Sequence, residues 1–481
     1  MSDVNANDTR LIESCDEVSA LYQGAGNNTM TGIEVELAFF DPASPDLTPM
    51  TIPQNETIKN ATNAQCGGDF ARNEPTSEML EIGSIAAKPN ELDTIITDTN
   101  RKIACLTQKA ADIGLKRSFF QDLPDQTAQD LLKNVVDIPR YQAFFAPPRK
   151  DMMDVAAYFS VCKSNQISVS HRDPDHLLSN IRRLYYLAPF LFMIMDNGSG
   201  FNEAEAFSGH AGMHHRAALG TRGGCPDYVF TAQSGEEYIR AHINAVMNNP
   251  LFVYYDENGD LIRLPAGEWQ SFNNLREKGL NTATNYYFAQ TILWPDVKIA
   301  ALKDEAENVT GHRFEARMIG VGMHQHISAL LIIAGLAFNE EFAHATDTLL
   351  KSYGFDPQTP ENTKANLTKA YKAAREHSGQ FLNIPYGTGN MQNFAKSFAN
   401  ILEAAYNDSP HETALSPILH ICRTGLTDAK INRIMFPTLT DAKNFQRTFD
   451  PEILQNTNLC TAQLFEDNTQ KTNQSACIGN I

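Results

Sequence analysis

The stretch Thr31-Gly32-Ile33-Glu34-Val35-Glu36-Leu37-Ala38-Phe39-Phe40-Asp41 constrains this chain more than any other. Ile33, Val35, Leu37 and Phe39 alternate with Gly32, Glu34, Glu36 and Ala38, and a period of two marks a half-buried strand. The face opposite the apolar one carries two carboxylates two residues apart, so both project the same way. Side-by-side carboxylates repel unless a cation lies between them, and hard cations such as Mg²⁺ take oxygen ligands. An acidic solvated edge is the alternative reading of this segment alone.

Three further segments alternate in the same way. In residues 72–84, Leu80 and Ile82 face one way and Met79, Glu81 and Gly83 the other, with Glu74 and Glu78 just ahead of them. In residues 162–171, Gln166, Ser168 and Ser170 line a polar face with Ile167 and Val169 behind it. In residues 313–319, Arg313, Glu315 and Arg317 share one face. If the four strands pair in one sheet backed by helices, Glu34, Glu36, Glu81, Gln166, Ser168, Glu315 and Arg317 converge on one concave surface. Carboxylates gathered there would hold two or more Mg²⁺ ions, and the arginines would contact phosphates bidentately. That equipment suits ATP-dependent activation of a carboxylate, which needs positioning and charge neutralisation of a transferring phosphoryl group. The sequence has no Gly-x-x-x-x-Gly-Lys-Ser/Thr loop, so the phosphates would not be held by a P-loop.

The rest of the chain narrows the function classes. A net charge of −18 argues against a general nucleic-acid surface or an anionic membrane, since both need basic patches. The longest apolar runs, 184–195 and 327–338, fall short of the ~20 residues that span a bilayer and read as buried helices. No secretory segment is apparent at the polar start, and the eight cysteines contain no Cys-x-x-Cys, which favours free thiols and a cytoplasmic setting. Residues 1–30 are expected to be a loosely ordered segment with a short helix near 14–22, 31–453 a single domain, and 454–481 a polar, poorly ordered tail. A helix is predicted over 89–114 and a strand over 115–120. Asp173-Pro174-Asp175 caps a long apolar helix, and Asn258-Gly259 forms a hairpin turn. A glycine-rich loop over 201–224 holds Arg216 and Arg222 close to His210, His214 and His215, and everything after His326 reads as helical. His214-His215 and His324-Gln325-His326 lack a supporting third ligand motif and read as solvated or core histidines rather than a zinc site.

In order along residues 31–408, these segments resemble the glutamate–cysteine ligases of the plant and proteobacterial type. They are more distantly similar to the bacterial carboxylate–amine ligases and glutamine synthetase. The family's Gly-Ile-Glu-x-Glu strand resembles residues 32–36, and its Glu-Pro segment before a metal-binding Glu resembles Glu74-Pro75 followed by Glu81. Its Val-Gln-Val-Asn strand resembles Asn165-Gln166-Ile167-Ser168, and its helix ending in Ala-Asn-Ser-Pro-Phe resembles the one ending at Asp196-Asn197-Gly198-Ser199. Its Met-Arg and Arg-Thr-Gly segments look like the stretch with Arg216 and Arg222-Gly223. Its Tyr-Val-Asp-Tyr-Ala helix and Pro-Met-Tyr-Phe strand look like residues 238–245 and 250–254. The terminal Leu-Glu-x-Arg strand matches Phe314-Glu315-Ala316-Arg317.

The resemblance implies an α+β, glutamine-synthetase-like fold: a curved antiparallel sheet of about six strands forming a funnel, backed by helices. It implies two or three Mg²⁺ held by Glu34, Glu36, Glu81, Glu315 and Glu78, with ATP as co-substrate. Glu315 and Arg317 would bind ATP, and Arg317 and Arg216 would act in catalysis. Gln166, Ser168, Arg216 and Arg222 would line the substrate site. The implied reaction is ligation of the γ-carboxylate of glutamate to the amine of cysteine through an acyl phosphate, the first step toward glutathione, by a monomer or homodimer without nucleic-acid or membrane partners. The sequence departs from the family where its Asn is Ser168, where the Asp two residues later is Ser170, and where Gly-Ala-Asp-Gly-Gly is replaced by residues 318–322. These departures bear on the amine acceptor more than on the metals.

Overall fold

The computed structural model describes residues 8–147, 149–202, 205–206, 223–304, 306–376, 381–451, 453 and 459–465. Its centre is an antiparallel sheet of β1 (Thr31–Phe40), β2 (Ala71–Asn73), β3 (Met79–Gly83), β4 (Lys116–Arg117), β5 (Ser164–Ser170), β6 (Val297–Lys303) and β7 (Val309–Gly320). The order is β6-β7-β5-β1-β3-β2, with β4 added alongside β1 beyond the end of β5. The architecture is α+β, a strongly curled half-barrel sheet backed by many helices. Register shifts at 302/303 and between 316 and 319 interrupt the ladders beside β7, and such irregularities bend a sheet locally.

The period of two decides the faces. Ile33, Val35 and Leu37, Leu80 and Ile82, Ile167 and Val169, Val297 and Ile299, and Phe314 are all buried on one side. Against them pack α3 (Pro174–Ile194) and α4 (Gln325–Phe338), numbered after α1 (Ile52–Gln65) and α2 (Leu92–Ala111). These two helices are the apolar runs of the sequence, buried on nearly every side, as expected for helices apolar all round. Asp173 caps α3 by accepting from the His176 backbone N–H at 2.8 Å, and Pro174 takes the first helical position, where no N–H is needed. Among the described residues no single helix is long and apolar enough to cross a membrane.

Several expectations are corrected. Residues 8–30 are not loose: Ile12, Val18 and Tyr22 are buried, and the Tyr22 ring stacks on His312 with its hydroxyl 3.0 Å from that of Tyr286. A polar composition concealed a few strong apolar anchors. Within the tail, Cys460 and Ala462 enter the core, and the Thr461 N–H donates to Asp428 at 2.6 Å. The strand over 115–120 shrinks to Lys116–Arg117, because Phe119 and Phe120 turn into an aromatic cluster with Phe436, Phe445 and Phe449. A small hairpin, Pro385–Tyr386 with Gly389–Asn390, interrupts the helices after His326. Cys66 and Cys105 are bonded, joining the end of α1 to α2, whereas Cys15, Cys162, Cys225, Cys422 and Cys460 are free. Scattered spacing in sequence hid a pair that two helices in contact bring together. His324 and His326 are buried and hydrogen-bonded to Ser328 and Asp428, and to Asn100, as core histidines.

Candidate active site

The polar face of the sheet gathers its charges by register. Glu36 stands opposite Glu81 across β1–β3, and Arg72 of β2 stands opposite Glu81 on its other side. Glu34 pairs with Gln166, Gly32 with Ser168, Ser168 with Glu315, and Glu315 with Lys298. Residues opposite one another in a ladder share a face, so Glu34, Glu36, Glu81, Gln166, Ser168, Glu315 and Arg317 all lie on this one. It opens into a cleft of about 660 Å³, lined among others by Glu34, Glu74, Glu81, Ser168, Arg72 and Arg313.

A chain of polar contacts runs across the strands. Glu36 accepts from the Ser164 N–H at 2.7 Å, the Ser164 hydroxyl at 3.0 Å and Gln166 Nε2 at 2.9 Å. Gln166 Oε1 accepts from Arg317 Nη1 at 2.6 Å, and Arg317 in turn pairs with Glu315. Arg313 lies 3.5 Å from both Glu315 and Glu34, and its Nε donates to Ser168 Oγ at 2.8 Å. Arg317 is buried behind Gln166, whereas Arg313 reaches the cleft.

The acids divide into two electrostatic environments. Burial works against ionising Glu315, but Arg317, Arg313 and Lys298 outweigh it and hold its carboxyl down at about 2. Burial pushes Glu36 up to about 7, with Glu74 adding to the rise and Arg317 and Ser164 opposing it. Burial raises Glu81 well above the usual carboxylate range, and Glu34, Glu74 and Glu36 add to it. Lys298 is pushed down to about 8 by burial and by Arg317.

Glu36, Glu74 and Glu81 form the tightest cluster: all three are buried, and each offers a carboxylate oxygen within 4.8 Å of the others. Glu81 Oε2 is buried without a hydrogen-bond partner among the described residues. Buried carboxylates this close need either protons or a cation, and an all-oxygen donor set suits a hard divalent ion such as Mg²⁺. The residues present therefore fit the metal.

Glu78 lies outside this cluster, 3.1 Å from the buried Lys163 and accepting from Thr76 at 2.9 Å. Glu74, just beyond β2, is the third acid that the connection brings to Glu36 and Glu81. Arg216 and Arg222, together with His210, His214 and His215, lie outside the described residues. Lys298 went unnoticed in the sequence because the alternation of Val297-Lys298-Ile299 is lost after Ala300; Arg72 is the middle residue of a three-residue strand that carries no periodic signal.

No family model matches the chain, and no curated protein does. Among solved structures it is similar to a glutamate–cysteine ligase from Francisella tularensis in complex with AMP, at 11% identity and a TM-score of 0.49 over 96% of each chain. It is also similar to a bifunctional glutathione synthetase from Pasteurella multocida, at 9% identity and a TM-score of 0.47 over 91% of this chain and 53% of that one.

Proposed function

We propose that this chain is an ATP- and Mg²⁺-dependent carboxylate–amine ligase, joining the γ-carboxylate of L-glutamate to the amine of L-cysteine. The observation that carries the reading is the cluster of Glu36, Glu74 and Glu81 beside an arginine-bearing strand on one sheet face. In the proposed reaction a γ-carboxylate oxygen attacks the γ-phosphorus of ATP and ADP leaves. The amine nitrogen then attacks the acyl carbon, losing a proton, and phosphate departs. A divalent ion held by Glu36, Glu74 and Glu81, with Glu34 at the rim, would supply neutralisation of phosphoryl charge.

The chain's own groups would do the rest. Arg313 and Lys298 add positive charge beside Glu315, where the nucleotide's phosphates would lie, and Arg317 locks Gln166 and Glu315 in place from behind. Gln166 holds Glu36 in a fixed rotamer. Arg216 and Arg222 are assigned to the substrate carboxylate or transferring phosphoryl group on the resemblance in sequence alone.

A second reading keeps the mechanism and changes the amine. Ser168 stands where the similar family carries Asn, and its hydroxyl is taken up by Arg313. Phosphate release measured with Mg-ATP, glutamate and a panel of amines tests both. Turnover with cysteine supports the first; silence with cysteine and turnover with another amine supports the second. Failure to bind Mg-ATP at all would leave a catalytically inactive relative.

A further inference from the structure

We infer that Arg72 forms an anion subsite at the β2 end of the cleft, taking the non-reacting carboxylate of the acid substrate. The inference rests on the ligase reading for the word substrate, but its geometry stands independently. Arg72 is exposed, lines the cleft and shares a cross-strand position with Glu81. Among the described residues it has no ion-pair or hydrogen-bond partner, although acids outnumber bases across the chain by 57 to 39. Other cations at this cleft are already engaged: Lys59 with Glu56, Lys303 with Glu307, and Arg313 with Glu34 and Glu315. Arg140, over the Tyr141 ring at 4.6 Å and donating to its hydroxyl at 3.0 Å, also lines this cleft.

Arg313 on β7 and Arg72 on β2 are four strands apart in the sheet order and line opposite sides of the cleft. The two ends also differ in charge. The β7 end brings Arg313, Arg317 and Lys298 together and suits a polyphosphate, whereas the Arg72 end suits a single carboxylate. With the Glu36–Glu74–Glu81 cluster beside Arg72, an acid held there by one carboxylate presents its other end toward the cluster and the nucleotide. The subsite thus selects for acids with a second anionic group.

Calorimetric titration of glutarate and of butyrate, each with Mg²⁺ present, into the wild type, Arg72→Gln and Arg72→Lys tests this without turnover. The wild type should bind glutarate about tenfold or more tighter than butyrate, Arg72→Gln should narrow the gap to within about threefold, and Arg72→Lys should keep part of it. In steady-state assays Arg72→Gln should raise KM for the acid about tenfold and leave kcat and KM for ATP unchanged, the mark of lost uniform binding. An equal glutarate preference in wild type and Arg72→Gln, or none in the wild type, overturns the subsite. If no combination of acid, amine and ATP releases phosphate, the ligase reading fails, while the glutarate–butyrate gap still decides the role of Arg72.

Discussion

Glu36 and Glu81 face each other directly across the β1–β3 pair, both buried, with carboxylate oxygens inside the same 4.8 Å cluster as Glu74. Cross-strand neighbours of like charge destabilise a sheet, and burial increases the cost. The arrangement is tolerable with a cation between the acids, or with protons on some of them. It ties the strand register to the site's chemistry, because a slip of one residue would send Glu81 into the apolar core.

Glu81→Gln should weaken Mn²⁺ binding, read by electron paramagnetic resonance as a stand-in for Mg²⁺, by at least about tenfold. Its unfolding temperature in EDTA should equal or exceed that of the wild type, since one of three crowded anions has gone. A variant with wild-type Mn²⁺ affinity would remove the cluster from consideration as a metal site.

Mg²⁺ should raise the wild-type unfolding temperature in a concentration-dependent way, with a stabilisation of about 2.7 kcal/mol at a hundred times the dissociation constant. The Glu36→Gln, Glu81→Gln double variant should show no such response. Differential scanning calorimetry with and without EDTA measures both.

Glu78 and Lys163 make a fully buried pair away from the cluster. Removing one partner leaves the other charge buried, so Lys163→Met is expected to cost about 3–5 kcal/mol in urea unfolding. The double variant Glu78→Gln, Lys163→Met should recover much of that loss. Mn²⁺ affinity should stay unchanged in the double variant; a fall of tenfold would return Glu78 to the metal site.

Asp122 is buried and accepts from the Ser199 N–H at 2.8 Å and the Ser199 hydroxyl at 2.7 Å. Burial lifts its carboxyl to about 6, against the opposing pull of those hydrogen bonds. The folded state therefore holds this proton more tightly than the unfolded one. Its contribution is complete below about pH 4, declines as pH rises toward 6, and is constant above that; the decline amounts to about 3 kcal/mol. Asparagine can keep both contacts without titrating, so Asp122→Asn should lack this slope. Urea unfolding of both proteins from pH 4 to 7 gives the difference, and parallel curves would count against the shift.

Much of the site could be read from parity. Alternation in residues 31–40 and 313–319 committed Glu34 with Glu36, and Glu315 with Arg317, to the polar face of their own strand before any pairing was known, because a strand side chain has only two directions to take. The same rule placed Gln166 and Ser168. It failed between β2 and β3, where Glu74 and Glu78 lie in a connection with no period, and Pro75 with the turn from Thr76 to Met79 decides which of them returns to the face. Lys298 escaped because β6 loses its alternation after Ala300, and Arg72 because three residues carry no pattern.

The sequence by itself determined β1, β3, β5 and β7, their apolar and polar sides, and the two buried helices, since each follows from the spacing of neighbours along the chain. Only the tertiary structure decided which strands lie side by side, and hence that Glu81 meets Glu36, that Lys298 meets Glu315 and that Arg72 meets Glu81 on the strand farthest from β6. The strand pairings join residues as far apart as Ser168 and Glu315, and they are selected by how all the apolar faces fill one core together, a sum to which no single segment holds the answer.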